Sequence, residues 1–514
     1  MPRLSPEKIT TLGQLKASGY QARSIKQELR DNLITRLQKG QKVLEGIYGF
    51  DDTVVPELQT AILSRHNILL LGLRGQAKTR IARTLVQLLD EVVPVVTGSE
   101  LNDDPLEPLS RSARDLIAEF GDDAPISWWP REDRYTEKLA TPDVSIADLI
   151  GDLDPIKAAS LKLPYSDERV IHFGLIPRAH RGLFVINELP DLQARIQVAL
   201  FNILQERDIQ IRGFKLRLPL DIQFVFTANP EDYTNRGSIV TPLKDRIESQ
   251  ILTHYPASVE VGMQITKQEV HLLAEQRKRV EMPELLARLV EQIAFEARQS
   301  EYVDPKSGVS ARLTISAYES VLAAAERRAL LNNEPSVRAR ITDLFAALPA
   351  ITGKVELVYE GEQEGPRKVA HLLISKAIRH QFTALFPDPE KAKKGKQAQP
   401  SPYQAIVDWF NAGKTVDLLR DAPDRDHAAY LASINGLKEL VRGLHPGLRS
   451  EDELLYMELV LFGLAESSQL TRKPLGNGHS FRDMLGNLLA GFNPADLDEE
   501  DLNEDDDDKP RRRR

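Results

Sequence analysis

One stretch, residues 66–80 (HNILLLGLRGQAKTR), restricts what this chain can fold into more than any other. An apolar run from Ile68 to Leu71 meets a loop containing Gly72 and Gly75, and Lys78 with Thr79 then open an amphipathic helix. A buried strand that feeds a glycine-bearing loop into a helix N-terminus turns backbone N–H groups and the positive end of the helix dipole toward an anion. In the phosphate-loop pattern G-x-x-x-x-G-K-[ST], the lysine reaches the β/γ-phosphates and the hydroxyl after it sits on magnesium. Gly72, Leu73, Arg74, Gly75, Gln76, Ala77, Lys78, Thr79 and Arg80 are therefore the candidate nucleotide-binding set, with Thr79 also a metal ligand. The pattern has glycine just before the lysine, and here that residue is Ala77. Such a loop can also be an ordinary strand-to-helix turn, so segments further along decide its meaning.

The strongest of these is GLFVINE, residues 182–188: an apolar strand ending in a polar residue and then a carboxylate. In nucleotide hydrolases this second signature sets an acid beside magnesium and a glutamate beside the attacking water. Glu188 is the candidate general base. Asn187 stands where aspartate is usual, and its amide oxygen can accept a bond from a magnesium-bound water without adding negative charge. A third strand, Ile222 to Thr227, runs into Ala228-Asn229-Pro230, and Asn229 could orient the lytic water. Residues 208–218 alternate about Gly213, which predicts a β-hairpin. In Thr241-Pro-Leu-Lys-Asp-Arg246 the arginine either pairs with Asp245 or acts in trans on a neighbour's nucleotide.

The order of these parts resembles the AAA+ ATPases of the MoxR and magnesium-chelatase ATPase-subunit group, over roughly residues 46–330. HFGLIPRAHRGLFVINE (residues 172–188) looks like that group's lead-in to its Walker B strand, FTANPED (226–232) like its sensor-1 strand, and PLKDR like its arginine-finger turn. GVSAR (308–312) looks like the sensor-2 segment, and residues 143–164 fit the element inserted after the second helix. The resemblance implies Lys78 and Thr79 as phosphate and magnesium ligands and Asn187 with Glu188 as the Walker B pair. It further implies Asn229 as sensor 1, Arg246 as arginine finger and Arg312 as sensor 2, so that Glu188, Asn229, Arg246 and Arg312 form the catalytic set. ATP and Mg2+ are the implied cofactors. A finger supplied by a neighbour implies a ring, here a homo-hexamer, and the group implies a partner carrying a von Willebrand factor A domain. The departures at Ala77 and Asn187 bear on the hydrolysis rate more than on binding, so slow turnover without a partner is expected.

Elsewhere the chain is read from pattern. Residues 1–42 are polar and helix-prone, with Ile25, Leu29, Leu33, Ile34 and Leu37 at helical spacing, as in a packing or oligomer-contacting helix. A helix over about 54–64 precedes the phosphate-loop strand, and 91–97 reads as a second strand. Residues 98–140 read as an irregular insertion whose paired Trp128 and Trp129 cap a core. After Pro256 the pattern turns helical, with capping boxes read at Ser316–Glu319 and Ser450–Glu453, a short hairpin at 353–361 and a helix at 369–385. The lysine-rich stretch 387–402 reads as a solvated linker.

The predicted fold class is α/β: a core with a parallel sheet, a helical lid and an extra all-α C-terminal domain. Its segments are 1–45 (N-terminal helical), 46–256 (nucleotide-binding core), 257–386 (lid), 387–402 (linker), 403–493 (helical) and 494–514 (a disordered acidic-then-basic tail). A length of 514 residues is too great for one core. No cysteine is present, which removes disulfides, thiolate metal sites and cysteine nucleophiles. No apolar run reaches membrane-spanning length and residues 1–40 are too polar for a secretory signal, so a cytoplasmic protein without membrane contact is expected. A net charge of −9 gives no reason to expect a nucleic-acid partner. There is no H-E-x-x-H, G-x-S-x-G or strand-following G-x-G-x-x-G, and no Gly-Ala-Phe-Thr-Gly-Ala-like loop of a sigma-54-type activator. The function expected is a ring-forming, chaperone-like ATPase. The alternatives are the ATPase subunit of a magnesium chelatase and an ATP-binding switch or scaffold with little hydrolysis.

Overall fold

Five parallel strands carry the first half of the molecule. They are β1 (Ile68–Leu71), β2 (Tyr135–Leu139), β3 (Gly182–Asn187), β4 (Ile222–Ala228) and β5 (Ser249–Leu252), and they lie in the order β2-β3-β4-β1-β5. In register, Ile68 stands between Val225 of β4 and Ser249 of β5, and Val185 of β3 pairs with Val225. The computed structural model describes residues 8–165, 167–206, 211, 218–230, 238–389 and 401–484, and the chain divides into two compact units, Met1–Ala257 and Ser258–Arg514. The expected hairpin at 208–218 (apart from Ile211 and Leu218), most of the 387–402 linker and the charged tail lie outside the described residues.

The central strands read as unbroken apolar runs because both faces of the sheet are covered. Successive side chains alternate between faces. Ile68, Leu70, Leu183, Val185 and Val225 join one core with helices α1 (Ile25–Gln38), α2 (Val54–Leu63) and α3 (Lys78–Thr84). Leu69, Leu71, Phe184, Ile186, Phe224 and Phe226 join the opposite core with α4 (Ala194–Glu206). From α1 the core receives Ile25, Leu29 and Leu33, all at 1% exposure or less. A buried ion pair locks this helix in place: Arg134 donates to both oxygens of Glu28 at 2.6 and 2.8 Å.

Two expectations change here. The strand expected at 91–97 exists as Val92–Val96, but it pairs antiparallel with Ile126–Pro130 in a sheet of its own. One edge of the main sheet is β2, which lies inside the stretch expected to be irregular. Its sequence, YTEKL, is half-exposed along an edge and has no apolar run to betray it.

The second unit is largely helical, with α5 (Ala311–Leu331) and the helices Glu284–Arg298, Pro366–Leu385 and Glu453–Glu466 sharing one core. This core is continuous across the expected division between lid and C-terminal segment. Phe345 stacks on Phe462 at 5.7 Å, and Gly463 leaves no room for a Cβ against the Phe382 ring. The C-terminal segment is not all-α: Val416–Leu419, Thr471–Leu475 and Gly478–Arg482 form an antiparallel sheet with Gly478–Arg482 in the middle. Its hairpin turns on Gly476-Asn477, and its short strands carry Lys473, Pro474 and Arg472, which hide the alternation. Residues 353–361 are no hairpin either, since Leu357 bridges to Val303 and a helix begins at Tyr359. Helix α5 starts at Ala311, capped by Ser310, rather than at Ser316. Asp452 makes no side-chain cap at the N-terminus of Glu453–Glu466, because its carboxylate engages Arg338 and Arg449. Among the described residues no helix is long and apolar enough to cross a membrane.

Candidate functional site

Parallel strands bring their C-terminal ends to one edge, and three neighbours, β3, β4 and β1, deliver the candidate residues there. The loop after β1 is held from below. Gly72 N–H donates to Ala228 at 3.1 Å, and a Cβ at Gly72 would fall 2.0 Å from Thr253 Oγ1. Gln76 turns inward to accept from Thr253 Oγ1 at 2.9 Å, while Tyr255 donates its hydroxyl to the Arg74 carbonyl at 2.9 Å. The loop takes left-handed backbone at Gly75 (φ 74°) and again at Ala77 (φ 58°). Position 77 is where the phosphate-loop pattern places glycine, and the conformation gives the reason. An L-residue pays about 1–2 kcal/mol there for crowding its Cβ against the carbonyl.

Lys78 follows at the first turn of α3 and is buried to 7% exposure. Its ammonium donates to the Gly72 carbonyl, to the Leu73 carbonyl at 3.0 Å and to Asn229 Oδ1 at 2.6 Å. The amide nitrogen of Asn229 then donates to Glu188 Oε2 at 3.1 Å. Chemistry fixes the orientation of this amide, because an ammonium can only donate and a carboxylate can only accept. Glu188 itself sits in left-handed backbone (φ 53°, ψ 51°) at the end of β3, a conformation that costs energy and collects at working sites. Its N–H donates to Thr227 Oγ1 at 3.1 Å, and that hydroxyl donates on to Asn187 Oδ1 at 3.1 Å. Thr79 Oγ1 donates to the same oxygen at 3.3 Å.

The structure thus brings together Lys78, Thr79, Asn187, Glu188 and Asn229. Arg80 lies on the first turn of α3 beside them in sequence. Arg246 is held elsewhere within the first unit: its guanidinium stacks 3.8 Å from the Phe201 ring, donates to Gln205 at 2.8 Å and lies 3.8 Å from Asp245. Arg312 belongs to the second unit, at the start of α5, where its N–H is capped by Ser310 at 3.2 Å.

Sequence reading overlooked the supports. Thr227, inside a strand, organises both Asn187 and Glu188. Thr253 and Tyr255 continue the line of β5 beneath the loop, and Glu137 accepts from the Asn187 amide nitrogen. A buried polar residue in a largely apolar strand, as at Thr227, is the signal that points to such a support.

The residues suit a magnesium nucleotide. Left-handed backbone at Gly75 and Ala77, on either side of Gln76, is the kind of turn in which backbone N–H groups can face an anion, and Thr79 Oγ1 with Asn187 Oδ1 offers the oxygen donors that a hard cation takes.

Residues 164–250 match the family model described as the Sigma-54 interaction domain. Among solved structures the chain is similar to a candidate ATPase of Cytophaga hutchinsonii, at 17% identity over 71% of this chain and 98% of that one, TM-score 0.29. It is also similar to the BchI–BchD complex of magnesium chelatase, at 20% identity over 62% of this chain and 97% of that one, TM-score 0.31. NtrX from Brucella abortus, solved with ADP, matches at 12% identity over 74% of this chain and 68% of that one, TM-score 0.35. The family match is local: it spans the strand ends that carry Asn187, Glu188 and Asn229 and the turn that carries Arg246.

Proposed function

We propose that this protein binds ATP over residues 72–79 and hydrolyses it as an ATPase of the AAA+ type, working as a ring-forming remodeller akin to the MoxR and magnesium-chelatase group. The observation that carries this reading is the chain of bonds Lys78–Asn229–Glu188, which links a cation at the start of α3 to an amide and a carboxylate at the ends of adjacent strands β4 and β3. On binding, Lys78 exchanges the Gly72 and Leu73 carbonyls for phosphate oxygens, and the N–H groups of the loop take the remaining anionic oxygens. Thr79 and Asn187 would hold a magnesium ion, which when bound would neutralise charge on the phosphates. Glu188, oriented by Asn229, takes the proton of the attacking water. Arg246 leaves its stack on Phe201 to reach the nucleotide of the next subunit, and Arg312 acts as the sensor of the lid. That division of labour requires a ring, a homo-hexamer in this reading, with a partner that carries a von Willebrand factor A domain.

Steady-state turnover at saturating Mg-ATP tests it. Glu188→Gln should retain ATP affinity and lose turnover by about 10²-fold or more; equal turnover in the two proteins ends the enzyme claim. Asn187 favours a second reading, a switch that binds ATP without consuming it, because the amide brings no negative charge to the metal. A single-turnover assay separates the two: release of phosphate from bound ATP identifies the ATPase, and intact ATP identifies the switch.

A further inference from the structure

The amide of Asn187 has a partner on the neighbouring strand that neither the phosphate-loop pattern nor the family match accounts for. Its nitrogen donates to Oε1 of Glu137 on β2. Residues β2 and β3 pair so that Leu139 lies opposite Asn187, which places Glu137 two residues back on the same face of the sheet. The other oxygen of Glu137 accepts from Tyr135 and Arg83, both at 2.9 Å. The carboxylate is therefore pinned, with one oxygen toward Asn187.

We propose that Glu137 is the positioning acid of the magnesium site: it supplies, from the adjacent strand, the negative charge that Asn187 lacks, and it fixes which end of the Asn187 amide faces Thr79. This rests on the nucleotide reading above. A carboxylate can only accept, so it draws the amide nitrogen and leaves Oδ1 for Thr79, Thr227 and the cation. An aspartate at position 187 would instead set carboxylate against carboxylate at hydrogen-bond distance, which disfavours ionisation of one of them. An acid on β2 and an amide on β3 avoid that repulsion. Second-sphere acids of this kind orient a ligand and tune a metal without touching it.

The test is Mn2+ affinity of the full chain in the presence of ADP, read by electron paramagnetic resonance, beside ADP affinity in EDTA. Glu137→Gln should weaken Mn2+ by about tenfold or more and leave metal-free ADP affinity within about twofold. Glu137→Gln/Asn187→Asp, which returns the acid to β3, should recover most of the loss. Unchanged Mn2+ affinity in Glu137→Gln, or a double variant no better than the single, overturns the proposal. Should Glu137→Gln not fold, Arg83→Gln serves, since Arg83 is 64% exposed. Tyr135 still holds the same oxygen, so removing that cation should tighten Mn2+, and weaker or equal binding overturns the proposal. A parent chain that binds no ADP in EDTA ends the nucleotide reading itself, a failure distinct from a metal effect absent in a chain that does bind ADP.

Discussion

Lys78 and Asn229, 151 positions apart, meet through a 2.6 Å hydrogen bond from the ammonium to the amide oxygen. The same amide holds Glu188, so the groups proposed to meet phosphate and water share one neutral intermediary. In the proposed reaction Glu188 can take a proton only from a water it faces, and the bond from Asn229 helps set its direction.

Replacing Asn229 by alanine should therefore separate binding from chemistry. Lys78 keeps its charge and its place, so ATP affinity measured by calorimetry should change by no more than about threefold, while turnover falls by about 10²-fold. Parallel losses in both would mean that Asn229 supports only the lysine.

Ala77 gives a prediction of unusual sign. Alanine in left-handed backbone costs about 1–2 kcal/mol, and glycine costs up to about 1 kcal/mol through the freedom of the unfolded chain. Ala77→Gly should then leave stability unchanged or raise it by about 1 kcal/mol in urea unfolding. A loss of that size, normal for the same change in a relaxed helix, would contradict the left-handed turn.

The Glu28–Arg134 pair is nearly free of solvent, at 4% and 1% side-chain exposure. Arg134→Leu strands a buried carboxylate and should cost about 3–5 kcal/mol. Glu28→Met/Arg134→Leu removes both charges and should recover most of that in denaturant melts. A double variant as unstable as the single would show that packing by Arg134, not its charge, holds α1.

His180 is buried, and it accepts from the Asp221 N–H at 3.0 Å. Burial, with Arg181 beside it, lowers its pKa from 6.5 to about 4. Between these values the unfolded chain takes up a proton that the folded chain refuses, so stability present at pH 7 is lost as pH falls through 6.5 toward 4. The loss from this group is at most about 3 kcal/mol. His180→Asn keeps an acceptor near the same place and cannot titrate. Its unfolding free energy should fall less steeply than the parent's over that window, and identical slopes would refute the assignment.

What the sequence by itself determined is local. The runs at Ile68–Leu71, Gly182–Asn187 and Ile222–Ala228 were legible because burial on both faces writes continuous apolar stretches into the chain. Lys78, Thr79, Asn187, Glu188 and Asn229 stand at set spacings from such runs, at strand ends or just past the loop after β1, and the structure brings the five together. The strand β2 was not legible, since an edge strand with Glu137 and Lys138 half-exposed has no pattern to separate it from a loop. The hairpin at Gly476-Asn477 is likewise hidden, because Arg472, Lys473 and Pro474 break the alternation of its first strand.

Only the tertiary structure decided which polar groups meet. That Glu137 faces Asn187, that Thr253 and Tyr255 lie beneath the loop, and that Glu28 finds Arg134 all depend on the order in which the sheet was assembled. Apolar burial is non-directional and nearly additive along the chain, so composition and period record it. A buried hydrogen bond needs one donor and one acceptor at one distance, and chain segments far apart in sequence acquire that relation only by folding.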